Sequence, residues 1–170
     1  MAERSDFRKI LLGSGSLTEP EAELLLALAD QARISNSRLA AETSMAPSTT
    51  LSRVNGMLKS GVISGFHTRV DRRALGLHLQ AQVSIYLRDQ SPGAIELAIE
   101  EIMKLPRVIA LMKVTGAYHF VAEVSARDAE DLQDEVLTPI SSIPSVERTD
   151  TALILNELRR ASILGDFFLA

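Results

Sequence analysis

The feature that most restricts this fold is a turn used twice. Leu105-Pro106-Arg107-Val108 and Ile143-Pro144-Ser145-Val146 share one form, 38 residues apart. Each turn ends a helix and feeds a strand, because proline interrupts the helical ladder. Ahead of the first turn, Ser91-Pro92 opens a helix carrying Ile95, Leu97, Ala98, Ile99 and Ile102; ahead of the second, Asp128 caps a helix carrying Leu132, Val136 and Ile140. Residues 79–88 alternate apolar and polar, as a half-buried strand does. A hairpin near Gly116 leads to a strand at 118–125, and a last strand lies near 147–157. Strand-helix-strand, twice, predicts a ferredoxin-like βαββαβ unit. Val83, Ile85, Leu87 and the run Leu153-Ile154-Leu155 are apolar enough to predict a sheet face or edge covered by another subunit.

The first half carries a different pattern. Thr18 precedes Glu21 at capping-box spacing, with Pro20 in the first turn. Leu24, Leu25, Leu28 and Ala29 then share one helical face. Ser35 or Asn36 starts a short second helix with Leu39 and Ala40. After the tight stretch 43–46, Pro47 opens a third helix running to about Lys59, with Leu51, Val54 and Leu58 expected inward and Ser60-Gly61 as its stop. The following β-branched and polar residues, 62–70, read as a strand or wing. Three helices and a wing are the outline of a winged helix-turn-helix. The expected division is 1–16 as an extension, 17–65 as the helix-turn-helix, 66–77 as linker or wing strand, 78–158 as the twofold strand-helix-strand domain with an oligomerisation role, and 159–170 as a tail. Phe167, Phe168 and Leu169 make that tail apolar enough to dock on a neighbouring subunit.

A net charge of −4 argues against a nucleic-acid partner until its distribution is examined. Residues 33–73 hold seven bases (Arg33, Arg38, Arg53, Lys59, Arg69, Arg72, Arg73) against two acids, Glu42 and Asp71, whereas residues 74–170 hold eight bases and fourteen acids. Screening acts over about 8 Å at physiological salt, so a phosphate on the first segment meets mainly the local positive field. In a helix-turn-helix the second helix of the motif enters the major groove N-terminus first. Here that end is Pro47, Ser48, Thr49 and Thr50, small residues that let the helix approach closely and donate to phosphates or bases. Ser52, Arg53 and Asn55 follow as polar candidates. Asn55 suits adenine; Arg53 suits guanine or phosphate, or else an ion pair within the domain. Arg33, Ser35, Asn36 and Arg38, around the start of the supporting helix, read as phosphate contacts. Arg69, Arg72 and Arg73 either extend the basic surface or form a solvated linker.

From about residue 17 to 158 the chain resembles the Lrp/AsnC family, the feast/famine regulators. The carrying residues are Ile34-Ser35, Leu39-Ala40, Pro47-Ser48-Thr49, Arg53-Val54, Leu58, Gly61-Val62-Ile63 and Gly65, then Leu75-Gly76-Leu77 and Gly116-Ala117-Tyr118. The resemblance implies an α+β chain with an N-terminal winged helix-turn-helix and a C-terminal ferredoxin-like domain of RAM/ACT type. It implies a cytoplasmic, nucleoid-associated transcription factor that binds double-stranded DNA, forms a homodimer or a larger assembly such as an octamer, and responds to an amino acid or related metabolite. In the family the effector lies near the turn, which carries the ligand role onto Thr115, Gly116, Tyr118 and His119. Two positions depart from the pattern in the recognition helix. Ala46 stands where a capping hydroxyl is usual, and Gly56 interrupts the helix; the two cost roughly 0.5–2 and about 1 kcal/mol. A third departure is His119, where the family commonly has Asp. An imidazole holds an α-ammonium group less well than a carboxylate does, which predicts an effector other than a plain amino acid, or none.

Other classes of function find little support in the residues. Cysteine is absent, which removes disulfides, thiol catalysis and cysteine-ligated zinc. His67, His78 and His119 are scattered without metal spacing, and no Gly-rich phosphate loop or nucleophile elbow occurs. No cofactor, metal site or enzymatic activity is expected, although siroheme decarboxylases share the family's architecture. No apolar run reaches 18 residues, and Met1 to Ser16 does not read as a signal peptide. The alternative function is an effector-binding or protein-interaction module whose DNA binding is weak or lost.

Overall fold

The computed structural model describes residues 17–160 and 167–169. The calls on the 1–16 extension and on residues 161–166 and 170 of the tail lie outside them. The chain divides into two compact units, one ending at Thr68 and rejoined by the residues from Glu157 on, the other spanning Arg69–Asn156.

In the first unit, α1 (Glu19–Asp30), α2 (Asn36–Glu42) and α3 (Pro47–Lys59) pack on one another. The capping box forms as its spacing predicts: the Glu21 carboxylate accepts from the Thr18 amide at 2.8 Å and from the Thr18 hydroxyl at 2.6 Å. Ser35 caps α2, its hydroxyl accepting from the Arg38 amide at 3.3 Å. The core consists of Leu24, Leu28, Leu39, Met57 and Ile63, with Leu25, Val54 and Leu58 packed against it.

Two expectations fail here. Leu51 does not face inward; it is 51% exposed, and Thr50 is fully buried in its place. The Thr50 hydroxyl donates to the Ala46 carbonyl at 3.2 Å, so a polar side chain is tolerated in the core. Residues 62–70 form no strand; only Ile63 among them is buried, and its amide closes back on Met57 at 3.0 Å. With one anchor and no ladder partner among the described residues, the expected wing strand is an irregular connection.

The second unit is the twofold strand-helix-strand arrangement. A short turn (Arg73–Leu75) leads to β1 (Leu79–Leu87), then α4 (Pro92–Met103), β2 (Val108–Lys113) and β3 (Phe120–Ala126). A continuous helical stretch follows: α5 (Ala129–Leu132), a wide π turn (Gln133–Leu137) and α6 (Thr138–Ser141). The unit ends with β4 (Val146–Leu153), shorter than the expected 147–157. All pairs are antiparallel and the order is β2-β3-β1-β4, the ferredoxin-like topology. The two related turns are hydrogen-bonded alike. Val108 N–H donates to Leu105 at 3.1 Å and Val146 N–H to Ile143 at 2.9 Å, while Leu105 and Ile143 donate to Ile102 and Ile140.

The helices cover one sheet face. Val83, Ile85 and Leu87 point into that internal core, with Ala98, Ile102, Phe120, Val124, Val136 and Ile140. They are therefore not the residues left for another subunit, whereas Leu153 and Leu155 remain exposed at 55% and 95%. Asp131 ties the unit together: its side chain is 1% exposed and receives Arg127 Nη2 at 2.7 Å and Arg107 Nη2 at 3.0 Å. The Arg127 hydrogen bonds, supported by Arg107, hold its carboxyl down to about 2. On the far face, Arg72 reaches Glu123 at 3.1 Å and Ser125 at 3.2 Å. After Asn156, β5 (Leu158–Arg160) pairs with β6 (Phe167–Leu169).

Candidate nucleic-acid interface and effector turn

Helix α3 starts where Pro47 can occupy its first turn, with fixed φ and no amide to satisfy. One face carries Thr50, Met57 and the half-buried Val54 inward. The opposite face exposes Ser48, Thr49, Ser52 and Asn55. Ser48, Thr49, Ser52 and Arg53 line an open, shallow concavity. The helix contains no acid, and its last turn carries Lys59. Short hydroxyl side chains, an amide and positive charge form a surface that can lie close to a polyanion and donate to it.

The remaining sequence candidates divide into exposed groups and internal ties. Arg33 and Ser35 are exposed beside the start of α2. Arg38 is exposed too and forms an i,i+4 ion pair with Glu42 at 3.0 Å. Asn36 is partly occupied: its side-chain amide donates to the Pro47 carbonyl at 2.9 Å, fastening the start of α2 to the start of α3. Thr50 is removed from the DNA-facing set by its burial.

Of the readings open for Arg53, the geometry displays the internal ion pair. Its Nη1 lies 3.8 Å from Glu21 and 3.4 Å from the Thr18 hydroxyl. Its Nε is buried without a hydrogen-bond partner among the described residues. The Thr18 hydroxyl and amide, with Arg53 beside them, hold the Glu21 carboxyl below its usual range. A capping residue of α1 and a residue of α3 thus meet at one carboxylate, which positions α3 on α1. Sequence spacing foretold the capping box, but a contact spanning 35 residues carries no local signal.

Ala46 supplies no side-chain cap to α3, as its methyl group dictates. A Cβ added at Gly56 would meet nothing within 4 Å. Neither departure from the family pattern is offset by a tighter fit.

In the second unit the turn between β2 and β3 closes with the Val114 amide on the His119 carbonyl at 3.0 Å. Gly116 has φ 134°, which favours glycine, and Thr115, Gly116 and Ala117 are exposed. His119 and Tyr118 are half-buried. His119 Nδ1 accepts from the Leu87 amide at 3.0 Å, which leaves Nε2 as the ring nitrogen that carries a proton when the imidazole is neutral. Tyr118 stands edge-on to Tyr86 at 5.9 Å, and the Arg148 guanidinium lies 3.4 Å over the Tyr86 ring.

A three-helix DNA-reading unit followed by a ferredoxin-like unit defines a helix-turn-helix regulator with an added sensing-type domain. The comparisons agree. Residues 21–64 match the winged helix-turn-helix DNA-binding model, and residues 80–164 match the Lrp/AsnC ligand binding domain. The HTH-type transcriptional regulator AldR of Mycolicibacterium smegmatis is 40% identical over 148 residues, covering 87% of this chain and 86% of its own. AldR of Mycobacterium tuberculosis is 37% identical, with 86% and 82% covered. Among solved structures, a feast or famine regulatory protein of M. tuberculosis complexed with L-methionine superposes with TM-score 0.77 at 29% identity, covering 84% of this chain and 94% of that one. The chain belongs to the Lrp/AsnC family of transcriptional regulators. No helix among the described residues is long and apolar enough to cross a membrane.

Proposed function

We propose that this regulator reads duplex DNA with the exposed face of α3 and adjusts its assembly or DNA binding to a small carboxylate-bearing metabolite, an amino acid or a close relative. The observation that carries the DNA reading is the acid-free face of Ser48, Thr49, Ser52 and Asn55 on a helix strapped to α1 through Arg53 and Glu21. Pro47 sets the start of that helix; Ser48, Thr49, Ser52 and Asn55 meet base edges or nearby phosphates; Arg33, Ser35 and Arg38 meet phosphates. Asn36 ties α2 to α3, and Arg53 ties α3 to α1. The expected division of labour places DNA binding in 17–65, a linker in 66–77, and sensing with oligomerisation in 78–158, followed by the 159–170 tail. The chain acts in the cytoplasm, on the nucleoid, as a homodimer or larger assembly. Exposed Leu153 and Leu155 support such an interface.

The effector reading rests on the open turn at Thr115 and Gly116, beside Tyr118 and His119. With Nδ1 occupied by the Leu87 amide, a neutral His119 offers a ligand its Nε2–H, a donor suited to a carboxylate rather than an ammonium. The L-methionine bound by the related M. tuberculosis protein supports the amino-acid class.

Electrophoretic shift with promoter DNA tests the DNA reading. Binding should fall steeply with salt, with a log-log slope near −0.9 per neutralised phosphate. Absence of binding at low salt leaves an effector-binding module instead. Calorimetry with free amino acids and their 2-oxo acid counterparts tests the effector reading: the 2-oxo acid should bind more tightly and His119→Ala should weaken it, whereas tight binding of a free amino acid that His119→Ala abolishes overturns the expectation that the effector is not a plain amino acid. Binding unchanged in that variant removes His119 from the site.

A further inference from the structure

Positions 50 and 51 invert the usual order of burial. Apolar burial alone favours leucine inside and threonine outside. Here Thr50 is fully buried, and Leu51 stands 51% exposed. Leu51 follows Ser48 by three residues and precedes Asn55 by four, so the three line one strip of α3. Both neighbours are exposed. The strip therefore offers a hydroxyl, an isobutyl group and a carboxamide in succession along the outward side of the helix.

The major groove contains one prominent apolar feature, the C5-methyl group of thymine, and apolar side chains read it by contact. Adenine presents N6 and N7 to a carboxamide such as that of Asn55. Guanine is read best by arginine or lysine, and Arg53, in the middle of the helix, is turned to Glu21. The chemistry of this strip matches A·T pairs. We infer that Leu51 is a specificity-determining residue that packs against the C5-methyl group of a thymine in the operator. The inference rests on the reading of α3 as the helix that enters the major groove.

The test uses the full chain and duplexes it selects from a random library. In a selected duplex each thymine is replaced singly by uracil, which removes the methyl group and keeps the base pair. The wild-type chain should lose about fourfold in affinity at one thymine per half-site, the worth of one buried methyl-sized group. Leu51→Ala should bind the thymine and uracil duplexes equally, and Leu51→Met, which keeps an apolar contact, should still discriminate. A merely structural leucine does not move this thymine-to-uracil ratio. Equal wild-type affinity for every uracil duplex overturns the inference, as does full discrimination by Leu51→Ala. Should Leu51→Ala fail to fold, the wild-type uracil scan and Leu51→Met still decide. A chain that binds no duplex at low salt overturns the reading of α3 itself, an outcome distinct from binding without methyl recognition.

Discussion

The two units bury apolar surface by different means. In the sheet unit, fifteen described residues form one buried cluster, with a helix and strand from each half interlocked around Phe120, Ile102 and Ile140. In the helical unit five do so, and polar ties do much of the positioning: Thr18 to Glu21, Glu21 to Arg53, Asn36 to Pro47. A large core fixes a shape through many small contacts. A small one leaves orientation to a few directional bonds. The sheet unit should tolerate loss of a surface contact with little change, and the helical unit should transmit such a loss to α3.

Large truncations break the comparison most severely. Phe120→Ala should cost about 3–5 kcal/mol and Leu24→Ala about 2–5 kcal/mol. Chemical denaturation followed by circular dichroism should show Phe120→Ala lowering the sheet unit's transition. Leu24→Ala should abolish the DNA shift while the sheet unit's transition stays in place. A common loss of both transitions in Leu24→Ala shows the units to be one cooperative body.

Repairing α3 sharpens the same contrast at a smaller scale. Ala46→Ser restores a cap worth about 1 kcal/mol, and Gly56→Ala gains up to about 1 kcal/mol in a position with free space. Each should raise the melting temperature of the helical unit alone. A decrease for Gly56→Ala means that something covers this position in solution.

The smallest effect under ordinary conditions concerns acid. The Asp131 carboxyl sits at about 2 in the folded chain against an ordinary value of 3.8. A carboxyl lowered on folding stabilises the fold fully above its unfolded value and loses that contribution as pH falls through the folded one. The sheet unit should therefore keep its melting temperature from pH 7 to about 5 and weaken between about 4 and 2. Asp131→Asn should reduce that acid dependence without abolishing it, because Asp89 and Asp150 of the same unit are also held below their ordinary value by Ser91 and Arg148; differential scanning calorimetry can measure the difference.

Much of this architecture was legible because its signals are local. The Thr18–Glu21 box, Pro47 and the paired turns each fix a helix boundary within four residues. Leu51 misled because 50-54-57 and 51-54-58 both fit a helical repeat, and only the Ala46 carbonyl makes a buried Thr50 acceptable. The π turn at Gln133–Leu137 is the reverse case. Leu132, Val136 and Ile140 are spaced strictly by four, wider than the α-helical 3.6, and the wide turn accommodates that spacing. At the candidate interface, residue types announced the exposed face of α3, whereas the roles of Asn36 and Arg53 depend on partners 11 and 35 residues away. His119 could be placed at the turn from sequence, but its bond to Leu87 needed the fold.

The bare start of α3 has a thermodynamic consequence. With Ala46 in the capping position, the first amides of the helix lack a side-chain acceptor. A backbone phosphate that docks there is itself an acceptor and carries the charge that the helix dipole favours. On the proposed reading of α3, the operator completes the helix that reads it, and part of the free energy of recognition goes into finishing local structure. A regulator built this way is at its softest when off its site, and Ala46→Ser, by stiffening the free protein, should reduce how much DNA raises its melting temperature.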